Sequence, residues 1–407
     1  MVTREMLYDA AFRYKKAGLW KKLWDNEIFA VRLSNGQIGY VSIMGRNGEY
    51  CALGLYVGEA GAQSYRTIAN ADFYEESEFR YRECLLQQYS LQVVLGNKDD
   101  LLEEELKEAR DYGKKHGIRY SGKNAYPQFL KFEPDHYQWK VKKEDDRTAL
   151  YEAMEAAVLM SDLLSKVHPK ELGIFSIGME STQVPLLEIR DGKLIAAGMA
   201  PFPEEKEKTY EAISVHNDIV VAALKKLPKK DTWEAEVVRM LKPVQEDPDD
   251  APYYPLLPLI VNHKTEYLLP VSMVMNAETN TEEFLQEYAE AWKRQKSYPK
   301  EIRCRDERTY AMLKDISEKT GVKICIYPGE MEALDEVEDE LMGDLLNEDD
   351  GDIAGMMSDI VDYILDMGPE EISAIPSEIM DHLKLLIDSD VLPEDITDEI
   401  RKKLRYR

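Results

Sequence analysis

The stretch that decides the fold is Ile28-Phe-Ala-Val-Arg-Leu-Ser-Asn-Gly-Gln-Ile-Gly-Tyr-Val-Ser-Ile-Met-Gly-Arg-Asn-Gly-Glu-Tyr-Cys-Ala-Leu-Gly-Leu-Tyr-Val57. Three apolar runs, residues 28–33, 38–44 and 50–57, are separated by Ser34-Asn35-Gly36 and Arg46-Asn47-Gly48. Asn-Gly is the strongest short hairpin signal, because both residues tolerate the positive φ that tight hairpin turns demand. The stretch therefore predicts an antiparallel β meander.

Helical spacing frames it. Met6, Leu7, Ala10, Ala11 and Tyr14 predict an amphipathic helix over 3–17, and Leu19, Trp20, Leu23 and Trp24 fit one helical face. Downstream, helices are expected at 59–69, 75–88 and 99–116, the last stopped by Gly117. Short strands are expected at 91–95 and 118–120, and an extended aromatic-rich segment at 128–141. Residues 144–167 read as a central helix with Leu150, Met154, Ala157, Val158 and Leu164 on one face. Residues 184–189 and 194–199 flank Asp191-Gly192 as a hairpin. Residues 218–227 and 234–241 fit strand or helix equally, and 246–258 is a proline-rich loop. Strands at 259–261 and 267–274, a helix at 281–296, and a strand–helix–strand unit over 302–326 complete the body.

The segment from Leu91 to Gly122 and that from Glu301 to Gly329 echo each other: apolar strand, helix, Gly, short strand. Right-handed crossovers joining parallel strands are expected in both. The fold class expected is α+β: two similar modules, each a β meander followed by strand–helix–strand, and a C-terminal acidic helical segment. The expected domains are 1–143, 144–329 and 330–407, in line with about 100–200 residues per domain.

Charge is divided unevenly. The 407 residues carry 78 Asp+Glu and 52 Lys+Arg, a net −26. Residues 330–407 hold 25 of the acids and six of the bases, or −19, which leaves −7 for the preceding 329 residues. No sustained Lys/Arg stripe appears, so nucleic-acid binding by phosphate neutralisation is not expected. No apolar run approaches the roughly 18 residues of a membrane span, and the charged start is no signal peptide. Cys51, Cys84, Cys304 and Cys325 form no CxxC pair. They fit reduced thiols and a cytoplasmic setting.

Familiar chemistries find no foothold. Gly117-Ile-Arg-Tyr-Ser-Gly122-Lys123-Asn124 matches the glycines and lysine of a phosphate loop. However, Asn124 replaces the Mg-binding hydroxyl, and the helix precedes the loop instead of following it. The six histidines form no HExxH or other close pair, and no metal or cofactor is expected. Ser176, in Gly173-Ile-Phe-Ser-Ile-Gly178, reads as part of a buried strand, and no catalytic residue is assigned. The best site argument is geometric: in open α/β sheets ligands gather at strand C-termini beside helix N-termini. Two such places exist here. One is Asn97 and Lys98. The other holds Arg303, Arg305, Asp306 and Arg308, with Asp306 as an N-cap. Three arginines there suit a small carboxylate or phosphate. The competing reading pairs them with nearby acids, including those of the tail.

The string Leu19-Trp-Lys-Lys-Leu-Trp-Asp25, with Phe29-Ala-Val-Arg-Leu33, Gly39-Tyr-Val-Ser-Ile-Met-Gly45 and Tyr56-Val-Gly58, resembles an uncharacterised bacterial family with an N-terminal domain of unknown function. Residues 280–329 resemble a second domain of unknown function that accompanies it. The resemblance implies a bacterial cytosolic protein and transfers no catalytic residue.

In the tail, 353–366 and 377–387 read as short amphipathic helices whose apolar faces need cover. Taken together, the sequence favours a non-enzymatic protein-binding or adaptor protein, with the acidic tail as recognition element for another protein. A small-anion sensor or enzyme with its site at 303–308 is the alternative.

Overall fold

The computed structural model describes residues 2–348 except 49, 75–77, 179, 205–209, 211, 213, 215, 246, 248, 249 and 270–280. The two tail helices expected at 353–366 and 377–387 lie outside the described residues. The fold is α+β.

Helix α1 (Arg4–Ala17) starts where Thr3 Oγ1 accepts the Met6 N–H at 3.2 Å, and it ends at Gly18 with φ 61°. After a short 3-10 turn come β1 (Phe29–Arg32), β2 (Ile38–Met44) and β3 (Cys51–Val57), the expected antiparallel meander. Gly36 and Gly48 sit at φ 85° and 89° in its two turns, which is what the Asn-Gly pairs supply. Helices α2 (Gly58–Tyr74) and α3 (Glu78–Leu85) lead to β4 (Ser90–Gly96), α4 (Glu103–His116), β5 (Tyr126–Phe132) and β6 (Trp139–Lys140). Then follow α5 (Glu144–Leu163), β7 (Gln183–Arg190) and β8 (Lys193–Pro201). These strands form one eight-stranded sheet in the order β6-β5-β4-β3-β2-β1-β7-β8.

Both faces of this sheet are covered, so its central strands are apolar without alternation. Phe29, Val31, Val41, Ile43, Leu53 and Leu55 share a core with Leu7, Tyr14, Leu150 and Met154 of α1 and α5. Ala30, Tyr40 and Tyr56 share the opposite core with Ala62 and Tyr65 of α2 and with Val184 and Phe202. The Leu19–Trp24 face divides on folding: Leu19 and Leu23 are buried, whereas Trp24 is 41 % exposed beneath the Arg46 guanidinium, 4.3 Å from its ring.

The second sheet contains β9 (Lys229–Arg239), β10 (Leu256–Asn262), β11 (Tyr298–Cys304) and β12 (Lys323–Ile326), in the order β10-β9-β11-β12. Its helices are α6 (Asp218–Leu224), α7 (Thr281–Gln295) and α8 (Glu307–Thr320), and α9 (Glu332–Glu348) follows β12. Trp233, Ala235 and Val237 alternate on β9 to face Trp292, Met312 and Ile316. Cys304 lies fully buried in that core, inward-facing as its place between two arginines predicts.

Several expectations are corrected. β11 and β12 are parallel and joined through α8, as expected. The supposed counterpart differs: β4 pairs antiparallel with β5, and residues 118–120 form no strand. The Ile118 N–H instead bonds Gly113 O at 2.8 Å, closing the end of α4 beyond Gly117. The Tyr120 side chain then folds back onto α4, where its hydroxyl donates to Ala109 O at 2.8 Å. The two segments are thus alike in element order and unlike in topology. The divide at 143/144 does not follow the sheets. α5 packs its buried face on the α1 side of the first sheet, and β7 pairs in parallel with β1, so residues through 201 complete that sheet. The C-terminal divide also shifts. Residues 1–337 form one compact unit, and Met331 and Leu334, past the expected boundary at 330, are buried within it. Ser176 is no part of a strand: Ile174 is buried, while Phe175 beside it is exposed in an irregular segment.

The two sheets meet inside the first unit. The Tyr137 N–H bonds Pro252 O and the Tyr254 N–H bonds Asp135 O, both at 2.8 Å. The proline-rich loop thereby docks on the β5–β6 connection.

Candidate functional site

The strand-end position proposed from the sequence is built where β11 passes into α8. Asp306 is the N-cap of α8: its Oδ1 accepts the Thr309 N–H at 2.6 Å. Thr309, fully buried, in turn accepts the Val237 N–H at 2.8 Å through Oγ1 and ties the helix to β9.

The three arginines diverge. Arg303 and Arg305 flank Cys304, so they project from the sheet face opposite the apolar core. On the next strand Glu234 and Glu236, both fully buried, stand on that same face. Arg305 Nε lies 2.9 Å from Glu236 Oε2, and its Nη2 donates to Asp335 Oδ1 at 2.5 Å. The Arg303 guanidinium stacks over the Tyr327 ring, 4.3 Å from its centre. Glu234 is held by His263, whose Nδ1 is 2.5 Å from Oε1, and by the Leu334 N–H at 3.2 Å from Oε2. A buried carboxylate behind a half-exposed imidazole orients a base. Here its second oxygen is already engaged with the first turn of α9.

Arg308 turns the other way, towards the first sheet. Its Nη2 donates to Glu83 Oε1 at 2.7 Å, and Asp306 Oδ2 lies at 4.0 Å. Burial opposes its charge, but Glu83 and Asp306 outweigh that and hold the guanidinium above its ordinary value. Glu83 also accepts the Arg239 N–H at 2.9 Å and stands 3.8 Å from Arg239 Nη1. Arg239 Nε is 2.5 Å from Asp135, which takes Gln87 Nε2 at 2.5 Å as well. Glu83, Arg239 and Arg308 are all buried.

Asn97 and Lys98 belong to the other sheet. They lie exposed at the end of β4, in a 3-10 turn. The Asn97 Oδ1 accepts the Asn124 N–H at 3.0 Å, and Lys15 Nζ donates to Asn124 O at 2.6 Å. The structure thus joins Asn97 to the Gly122-Lys123-Asn124 loop. Arg303, Arg305, Asp306 and Arg308 gather instead at the β11–α8 junction of the second sheet.

Sequence reasoning missed Glu83, Arg239, Glu234 and Glu236. The two glutamates carried a signal: Trp233-Glu-Ala-Glu-Val237 alternates strictly, as a strand with one polar face does. Glu83 carried none, because its partners lie far along the chain. Among the described residues no group of three His, Cys, Asp or Glu is placed to hold a metal ion, and no helix is long and apolar enough to cross a membrane. An open recess of about 480 Å³ lies between α1 and α4. Its floor stacks Tyr8 on Tyr112 at 4.7 Å, and Arg4 on its rim is forked onto Glu108 at 2.8–2.9 Å.

Residues 5–174 match a family model described as a domain of unknown function (DUF7309), and residues 220–342 match a second, also a domain of unknown function (DUF6930). No curated protein and no solved structure matches the chain.

Proposed function

From its place in an uncharacterised two-domain family, we propose that this protein acts by binding another protein and not by catalysis, with the acidic C-terminal region as recognition element. The observation that carries this reading is the charge division. Residues 330–407 hold 25 acids against six bases, while the much longer body is close to neutral. Such a region attracts a basic surface and speeds encounter with it. The strand-end arginines weigh against the alternative of a small-anion site. Arg305 already faces Glu236 and Asp335, and Arg308 faces Glu83. A bound anion would have to displace carboxylates from them.

The test is co-purification from an extract of the source cells, with the full chain and with a chain ending at residue 348. It is run at about 0.1 M and about 0.5 M salt, since screening shortens from roughly 10 Å as salt rises. A basic protein retained by the full chain at low salt, and lost on truncation or in high salt, is the expected result. Recovery of the same proteins by both chains, or of none, refutes the reading.

A further inference from the structure

The β7–β8 hairpin lies between the two matched domains, outside both, yet it completes the eight-stranded sheet. β8 is the last strand in the sheet order, and among the described residues no strand covers its outer side. Its sequence from Leu194 to Ala200 is Leu-Ile-Ala-Ala-Gly-Met-Ala, without a charge. Ala196, Gly198 and Met199 are exposed, Met199 by 50 %, and Ile189 beside them on β7 is exposed too. An edge strand offers a row of backbone N–H and C=O groups to any other strand, and proteins commonly blunt such edges with lysines, prolines or cover. β8 carries a lysine and a proline only at its two ends, Lys193 and Pro201, with a bulge between them: Leu186 pairs with Gly198 and Leu187 with Ala196, which leaves Ala197 without a partner on β7.

We propose that this edge is an interface that a second copy of the chain covers, β8 against β8, antiparallel across a two-fold axis, so that the sheet runs through both protomers. The charges select this occupant and this direction. Lys193 opens the strand, and Glu204 follows its end. A two-fold axis at Ala197 sets Lys193 of one protomer beside Pro201 and towards Glu204 of the other. A parallel arrangement would stack Lys193 on Lys193. Isologous contacts need a patch that suits itself, and a strand with an uncharged middle, a lysine at its start and a glutamate three residues past its end meets that need. The added strand continues the backbone ladder, as in other strand-addition interfaces. This inference is independent of the acidic region.

The test measures the molar mass of the full chain in solution by light scattering across a concentration series, for the native sequence, Met199→Lys and Ala197→Lys. The native chain is expected at twice its 46.9 kDa. Met199→Lys, on an exposed side chain, should shift it to the monomer with an unchanged circular dichroism spectrum. Hydrogen exchange of the amides of 194–200 should be slow in the native chain and fast in that variant. A native chain at 46.9 kDa at every concentration overturns the proposal. So does a dimer that both variants leave intact. If Ala197→Lys fails to fold, Met199→Lys alone decides.

Discussion

Glu83→Ala tests how the two sheets are held together. One carboxylate oxygen, Oε1, receives Arg308 Nη2 at 2.7 Å and the Arg239 N–H at 2.9 Å, with Arg239 Nη1 at 3.8 Å. Removing it takes one carboxylate partner from each of two buried guanidinium groups and the acceptor from a strand-end N–H. Loss of one partner from a buried pair costs about 3–5 kcal/mol. Compensation is partial here, because Arg239 keeps Asp135 at 2.5 Å and Arg308 keeps Asp306 at 4.0 Å. The expected loss is therefore about 3 kcal/mol, the low end of that range. Glu83→Gln keeps an acceptor for the Arg239 N–H and should lose roughly 1–2 kcal/mol. Equilibrium urea unfolding measures the loss, and hydrogen exchange at Arg239 and Tyr137 locates it at the junction. The double variant Glu83→Leu with Arg308→Leu should be less destabilised than the sum of its singles, since no lone charge is left buried. A loss below about 0.5 kcal/mol for Glu83→Ala, the size typical of exposed pairs, would refute the buried-hub argument.

Three further outcomes follow from the geometry. Thr309→Val removes the acceptor of the buried Val237 N–H and should cost about 1–3 kcal/mol in urea unfolding; Thr309→Ser should restore most of it. Burial pushes the Cys304 thiol well above its ordinary value, so it should resist a thiol reagent at pH 8 until the chain is unfolded; rapid labelling of Cys304 in the native chain would count against its buried position. Hydrogen bonds from Lys115 and then His116 hold the Glu5 carboxyl below its ordinary value, so its contribution is present above that ordinary value and is lost as pH falls through the lower, folded one. Lys115→Ala should move the Glu5 titration upward by NMR, and an unmoved titration would remove Lys115 as its cause.

How far the fold could be read depends on whether its determinants are local. The meander was legible because each Asn-Gly turn fixes its own hairpin within a few residues. β11–α8–β12 was legible because helix, Gly321 cap and flanking apolar runs are contiguous. The place of β7 in the first sheet was not legible, because its parallel pairing with β1 is a contact between residues such as Ala30 and Leu186, and nothing in either run names the other. The stretch 118–120 misled because Ile-Arg-Tyr alternates like a strand, although its apolar members pack beneath α4: the Tyr120 hydroxyl donates to Ala109 O at 2.8 Å. Short apolar runs carry too little periodicity to separate those cases.

The strand-end arginines show how a site argument from sequence can hold in place and change in meaning. Asp306 caps α8, and Arg305 and Arg308 lie beside it, as the strand–helix geometry requires. Their chemistry is set from elsewhere. β9 carries Glu234 and Glu236 on one face, both fully buried, with Glu234 held by the first turn of α9 and by His263 after β10. A carboxylate taken out of water must find a donor or a cation, or become neutral. Arg305, the residue after β11, meets Glu236, and the α9 region adds Asp335 to its other side. Arg308 meets the same need for Glu83 at the junction of the two sheets. The sequence separations are about 70 residues in one case and more than 200 in the other, so neither demand is visible beside the arginine that answers it. Read from the buried glutamates outward, Arg305 and Arg308 answer charges within the protein.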